Sequence, residues 1–151
     1  MKAKKKRKKL IIAVVVSKFN QDISEGLLNG ALKVLQEYKI PLKRIKIYHC
    51  PGAFEIPLVA KKLCRTKKFD AVICLGAVIK GETAHFEYIS DSVARGMAQL
   101  NLMYNIPVTF GVLTCYSEEQ AVKRSSDDSG NKGAEAARAA IEMIDLLSQI
   151  K

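Results

Sequence analysis

A layered α/β domain on a parallel sheet is what this sequence predicts, on three observations. Strand-like and helix-like segments alternate four times along the chain. The strand-like runs are continuously apolar and rich in β-branched residues, as a strand covered on both faces requires. The connections between them are too long for hairpins, so consecutive strands must be joined by right-handed crossovers.

Each element has its own justification. Leu10 to Val16 (LIIAVVV) is the first buried strand. After the turn SKFNQ, Asp22 with Glu25 three residues on reads as a helix start, and Ile23, Leu27, Ala31, Val34 and Tyr38 recur at helical spacing. Ile45 to His49 is a second strand, Pro51-Gly52 a turn, and Pro57 opens a helix reaching about Arg65. Ala71 to Leu75 repeats the buried-strand pattern. A glycine-bounded segment, Gly76 to Gly81, follows before a long helix from about Ala84 to Tyr104. On that helix the stripe Ile89, Val93, Met97, Leu100 reads as core. Pro107 to Leu113 is a fourth strand, Ser117 and Gln120 form a capping box for a short helix ending near Ser125, and Ala134 to Ile150 is the closing helix.

Composition bounds the function. The 151 residues, 48% apolar and 26% charged, suit one globular domain, and no apolar run approaches the roughly 20 residues of a membrane helix. Of the net charge of +10, seven units lie in residues 2–9 (KAKKKRKK), a basic tail set apart from a nearly balanced domain over 10–151. Such a tail is either a solvated extension or an arm that binds polyanions. The basic start and the run 10–16 mimic a signal peptide, but Ser17-Lys18-Phe19-Asn20 offers no cleavage site, and cytoplasmic residence is the expectation. The four cysteines form no CxxC pair, so reduced thiols are expected rather than a zinc or disulfide framework.

In a parallel α/β sheet ligands bind beyond the carboxyl ends of the strands. Segments 17–20, 50–55, 76–85 and 114–116 should therefore converge on one edge. Gly76 to Gly81 has the glycine spacing of a phosphate loop, but Glu82-Thr83 replaces the Lys-Ser/Thr that a nucleotide loop needs, and there is no GxGxxG. What remains is Thr83 just before a helix, either an anion site or an ordinary cap. His85 in the first turn of that helix is the acid–base candidate, against a purely structural role, while His49 beside Cys50 reads as structural. Phe19 and Phe54 lie in loops at this edge and either plug the layer beneath or stack on a flat ligand. Glu55 fits a helix N-terminus as readily as a site. Arg124 fits a helix C-terminus as readily as a phosphate fork.

The strings PGAFEIP (51–57), GAVIKGETAHFEYI (76–89), PVTFGVLT (107–114) and GNKG (130–133) together resemble the lumazine synthase family, in order and without insertion from about Ile11 to Leu147. The resemblance implies a flavodoxin-like three-layer sandwich with a four-stranded parallel sheet. It implies a transferase that condenses 5-amino-6-(D-ribitylamino)uracil with 3,4-dihydroxy-2-butanone 4-phosphate to 6,7-dimethyl-8-ribityllumazine, phosphate and water, with no metal or organic cofactor. It assigns Phe19 to stacking on the pyrimidine, and Ala53, Phe54 and Glu55 to its ring and ribityl chain. Ala77, Val78 and Ile79 bond the heterocycle through their backbone. Glu82, Thr83 and Arg124 bind the phosphate, and His85 shuttles protons. Phe110 reaches a neighbouring subunit's site, so the resemblance implies a homo-pentamer, in some members a 60-subunit shell, with the site between subunits.

Two departures stand out. Ser-Ser-Asp-Asp-Ser follows Arg124, so Asp127 and Asp128 threaten phosphate binding unless they turn away or pair with Lys132. Cys50 precedes PGAFEIP where a small apolar residue is usual. The aspartates keep open a non-catalytic pyrimidine-binding or polyanion-binding cage of the same fold.

Overall fold

The computed structural model describes residues 9–150; the basic segment 2–8 lies outside them. Strands β1 (Ile12–Ser17), β2 (Ile45–Cys50), β3 (Ala71–Ile79) and β4 (Val108–Cys115) form one parallel sheet in the order β2-β1-β3-β4. Helices α1 (Gln21–Glu37), α2 (Ile56–Arg65), α3 (His85–Tyr104), α4 (Glu118–Ser125) and α5 (Lys132–Leu147) complete three layers, the flavodoxin-like arrangement.

The sheet divides the apolar side chains by the twofold alternation of its strands. Ile12, Val14, Val16, Ile73 and Leu75 join Leu27, Leu35, Ala137 and Ile141 under α1 and α5. Ala13, Val15, Val72 and Cys74 join Ile56, Leu63, Val93 and Met97 under α2 and α3. The continuous apolar runs thus feed two cores at once. Strand β2 has only β1 beside it and leaves Ile47 and Tyr48 partly exposed. Among the described residues no helix is long and apolar enough to cross a membrane. The four cysteines are free and buried.

Several boundaries differ from the sequence reading. Asp22 does not cap α1. The chain turns out of β1 through Asn20 in the left-handed region (φ 58), and that residue is the N-cap without a side-chain cap bond, its amide being used elsewhere. The segment Gly76 to Ile79 is strand rather than loop, because β4 continues to pair with it through Ile79↔Cys115. Glycine is required at residue 76: a Cβ there would stand 2.5 Å from Ser17 Oγ. Thr83 is not the cap residue of α3, which is Ala84, although its hydroxyl accepts a 3.4 Å bond from the His85 N–H. The short helix is as expected: Ser117 Oγ accepts from Gln120 N at 3.2 Å, and Gln120 Oε1 accepts from Tyr116 N at 2.9 Å. Helix α5 starts two residues before Ala134 because Asn131 caps it, and ends at Leu147, short of Ile150.

Candidate active site

Three strand ends are tied together at the carboxyl edge. Lys18 N donates to the Cys50 carbonyl at 2.8 Å and Phe19 N to that of Pro51 at 3.0 Å, which extends the β1–β2 ladder into the loops. Asn20 Nδ2 donates to the Ala77 carbonyl at 3.3 Å, bridging to β3. Below Pro51-Gly52, Ala53 to Glu55 form a single 3-10 turn that runs straight into α2. That turn buries Ala53 and leaves Phe54 and Glu55 exposed.

An open cleft of about 570 Å³ lies among these ends, at the point where strand order reverses between β1 and β3. Phe19, Ala53, Phe54, Glu55, Ala77, Val78, Ile79, Thr83 and His85 all line it. Of the edge segments expected to meet, 17–20, 50–55 and 76–85 do so. Phe19 is 71% and Phe54 55% exposed, so neither plugs the layer beneath, and both line the opening.

The wall of the cleft is a half-used strand. β1 pairs with β3 only as far as Leu75, while β4 pairs with β3 to Ile79. The Ala77 carbonyl faces the β1 side, where Asn20 meets it, and Lys80 N faces β4, donating to the Cys115 carbonyl at 2.9 Å. By strand alternation the Ile79 N–H and C=O face the cleft beyond the end of β1. Backbone groups of this kind need a partner, and a flat heterocycle with its own donors and acceptors supplies one.

Segment 114–116 does not join this cleft, and neither do Phe110 and Arg124. They line a second opening of about 410 Å³ with Thr114, Cys115, Tyr116, Gln120 and Lys132, over β4 and beside α4. The rings of Phe86, lining the first, and Tyr116, lining the second, stand 5.9 Å apart. Lys80 reaches the Tyr116 ring, its Nζ 5.6 Å from the centroid, and pairs with Glu87 at 3.3 Å. A backbone N–H bond and this lysine hold the Glu87 carboxyl below the usual range. β4 is the far edge strand, so side chains after it reach their own face and not the β1–β3 gap. Within one chain, then, Arg124 and Thr83 line different openings. Glu82 is exposed between Gly81 and Thr83, and it does not line the first cleft.

The aspartates after Arg124 are turned away. Asp127 pairs with Lys33 on α1 at 3.3 Å, and Asp128 accepts from Gly130 N at 2.8 Å; Lys132 pairs with Glu135 instead. Arg124 Nη1 rests on the Gln120 carbonyl at 3.2 Å, and its charge opposes the burial that raises the Cys115 thiol. Cys50 donates to the Gly52 carbonyl at 3.4 Å. Burial first, and then Glu55, push its thiol up. Sequence reasoning missed Asn20, Phe86 and Ile89 as cleft residues. Ile89, assigned to the core by helical spacing, is only half-buried and lines the cleft one turn along α3 from His85.

The profile of the family described as 6,7-dimethyl-8-ribityllumazine synthase matches residues 9–148, nearly the whole chain. The cleft at the β1–β3 switch, the aromatic pair at its mouth and the match along 140 residues concur, and the chain belongs to the 6,7-dimethyl-8-ribityllumazine synthase family of riboflavin biosynthesis.

Proposed function

We propose that this protein condenses 5-amino-6-(D-ribitylamino)uracil with 3,4-dihydroxy-2-butanone 4-phosphate to give 6,7-dimethyl-8-ribityllumazine, phosphate and water. The observation that carries the reading is the cleft joining Phe19, Phe54, the free edge of Ala77 and Ile79, and His85. The pyrimidine stacks on Phe19 and bonds the strand edge at Ile79, beside Ala77 and Val78, while its ribityl chain runs along Ala53 to Glu55; the Val78 backbone itself faces β4 by the same alternation. Thr83, before the N-terminus of α3, takes the phosphate end of the butanone, where the dipole favours an anion, and Glu82 stands beside it with only its backbone suited to the phosphate.

The chemistry asks for positioning and proton transfer. The aryl amine attacks the ketone to form an imine with loss of water, phosphate leaves, and the second nitrogen closes the ring on the remaining carbonyl with loss of a second water. Each step moves a proton that the exposed imidazole of His85 can accept or return. Such a shuttle contributes about 10²-fold or somewhat more, and holding both substrates in one cleft supplies most of the remainder.

The phosphate clamp is completed between copies. Phe110, Arg124 and Lys132 gather in the second cleft and none of them lines the first. A neighbour presenting its second cleft to this chain's first brings a guanidinium to the phosphate and a ring to the pyrimidine, in a closed ring such as a pentamer or a larger shell.

Lumazine formation, followed by absorbance with both substrates, tests the reading. Full-length protein should turn over, and His85→Ala should slow turnover about 10²-fold with the assembly unchanged in sedimentation. No product from the parent protein overturns the activity; an undiminished His85→Ala variant overturns the shuttle.

A further inference from the structure

The folded body is electrically lopsided. Residues 39–70 carry nine lysines and arginines against two carboxylates, a net of +7, while the rest of 10–151 carries nine against 13, a net of −4. The fold gathers the excess at one end. Ile12 pairs with both Ile45 and Ala71, so the starts of β1, β2 and β3 lie side by side, and the end of α2, with Lys62 and Arg65 in its last turn, arrives there. Lys43, Lys46, Arg65, Lys67 and Lys68 are exposed, and none of them forms an ion pair among the described residues. Asp70 is occupied at its carboxylate by Ile11 N at 2.8 Å, and Arg44 Nη1 donates to the Lys9 carbonyl at 3.0 Å. Lys9 therefore meets the body at this end, away from the cleft of Phe19 and His85.

Helix dipoles do not explain the accumulation. A helix C-terminus favours a cation, but residues 61–68 hold five where the end of α2 calls for one or two. Lys67 also sits at φ 56, a position that suits glycine or asparagine better. Between the cations Tyr48 and Phe69 meet edge to face at 6.3 Å, Tyr48 38% exposed. Exposed cations without carboxylate partners, interleaved with rings, fit a phosphodiester strand whose bases can stack. Residues 2–9 have no apolar side chain larger than alanine to insert into a bilayer.

We propose that the strand-start end of this protein is a nucleic-acid binding surface, contacting the backbone of single-stranded RNA through Arg65, Lys67, Lys68 and the neighbouring lysines. The surface is independent of the condensation reaction.

Fluorescence anisotropy of a labelled 20-nucleotide oligouridylate with full-length protein, from 50 to 200 mM salt, provides the test. The parent should bind with affinity falling steeply as salt rises. The triple variant Arg65→Gln, Lys67→Gln, Lys68→Gln should bind tenfold or more weakly at 100 mM, with a log–log salt slope shallower by about 2, at roughly 0.7 per lost phosphate contact. It should keep the parent's lumazine formation, which shows that it is folded. Lys67→Gln with Lys68→Gln, confined to the loop, repeats the measurement should the triple variant lose that activity. Lys33→Gln with Arg138→Gln, outside the basic end, should leave affinity within twofold. RNA binding absent in the parent, unchanged in the triple variant, or replaced by capture on phosphatidylserine vesicles overturns the assignment.

Discussion

At residue 76 the smallest side chain decides whether the site exists. Ser17 ends β1 with a buried hydroxyl 3.3 Å from that of Ser24, and Ile56 Cδ1 closes in from α2, so a methyl group on residue 76 meets both. Gly76→Ala should cost about 1–3 kcal/mol in urea unfolding through this overpacking. Adding Ser17→Ala should recover part of the loss, whereas simple additivity of the two changes would remove the explanation. The cysteines give a second test. Burial raises the Cys64 thiol from 9.0 to about 11, and raises Cys74, wholly enclosed and near Cys64 and Cys50, further. A thiol raised on folding favours the folded chain while it stays protonated. That contribution is intact below about pH 9 and is lost as pH climbs toward about 11. Unfolding midpoints should therefore fall across that window, and iodoacetamide at pH 8 should leave the folded cysteines unmodified; rapid labelling of Cys74 would contradict its burial.

Among the elements, the GNKG segment illustrates how a motif can carry identity while its task is architectural. Asn131 is buried. Its Oδ1 caps α5 through Ala134 N at 3.0 Å, and its Nδ2 serves the carbonyls of Gly26 at 3.0 Å and Ser126 at 2.9 Å. One side chain thus fixes α1, the end of α4 and the start of α5, the layer that carries Arg124 and Lys132. Asn131→Ala should destabilise by about 2–4 kcal/mol, the lost cap plus two stranded carbonyls. Thermal melting reads this, and a change within experimental noise would show the carbonyls to be otherwise served. The periods of the sequence made the strands and most helix ends legible, since burial on two faces and capping chemistry are local. They did not reveal that β3 runs on through Ala77 to Ile79, because pairing with β4 comes from across the sheet. Nor could they show that Asn20 spends its amide on β3 and that Asp22 caps nothing.

For the whole molecule, the division of site residues between two clefts is what spacing and periodicity did not contain, although the family resemblance had already sent Phe110 to a neighbour's site. Phe19 and His85 were legible from their place at strand ends, but Arg124 fell on the far side of a wall made by Phe86 and Tyr116. Spacing along a chain says which residues end strands and not which strand lies at the sheet's edge. If sites form between copies, His85→Ala and Arg124→Ala injure different halves. Co-assembled in equal amounts, they should recover about a quarter of the parent's activity at low butanone phosphate, since that share of junctions draws both intact halves. Activity no higher than the mean of the two separate variants would place both halves in one chain.

The overhang of β3 past the end of β1 has a dynamic corollary. A substrate lying along Ile79 would take the place of the partner that β1 stops supplying after Leu75, so occupancy should be visible as slowed deuterium uptake at that amide, while the Lys80 amide, already bonded to Cys115, stays as it was.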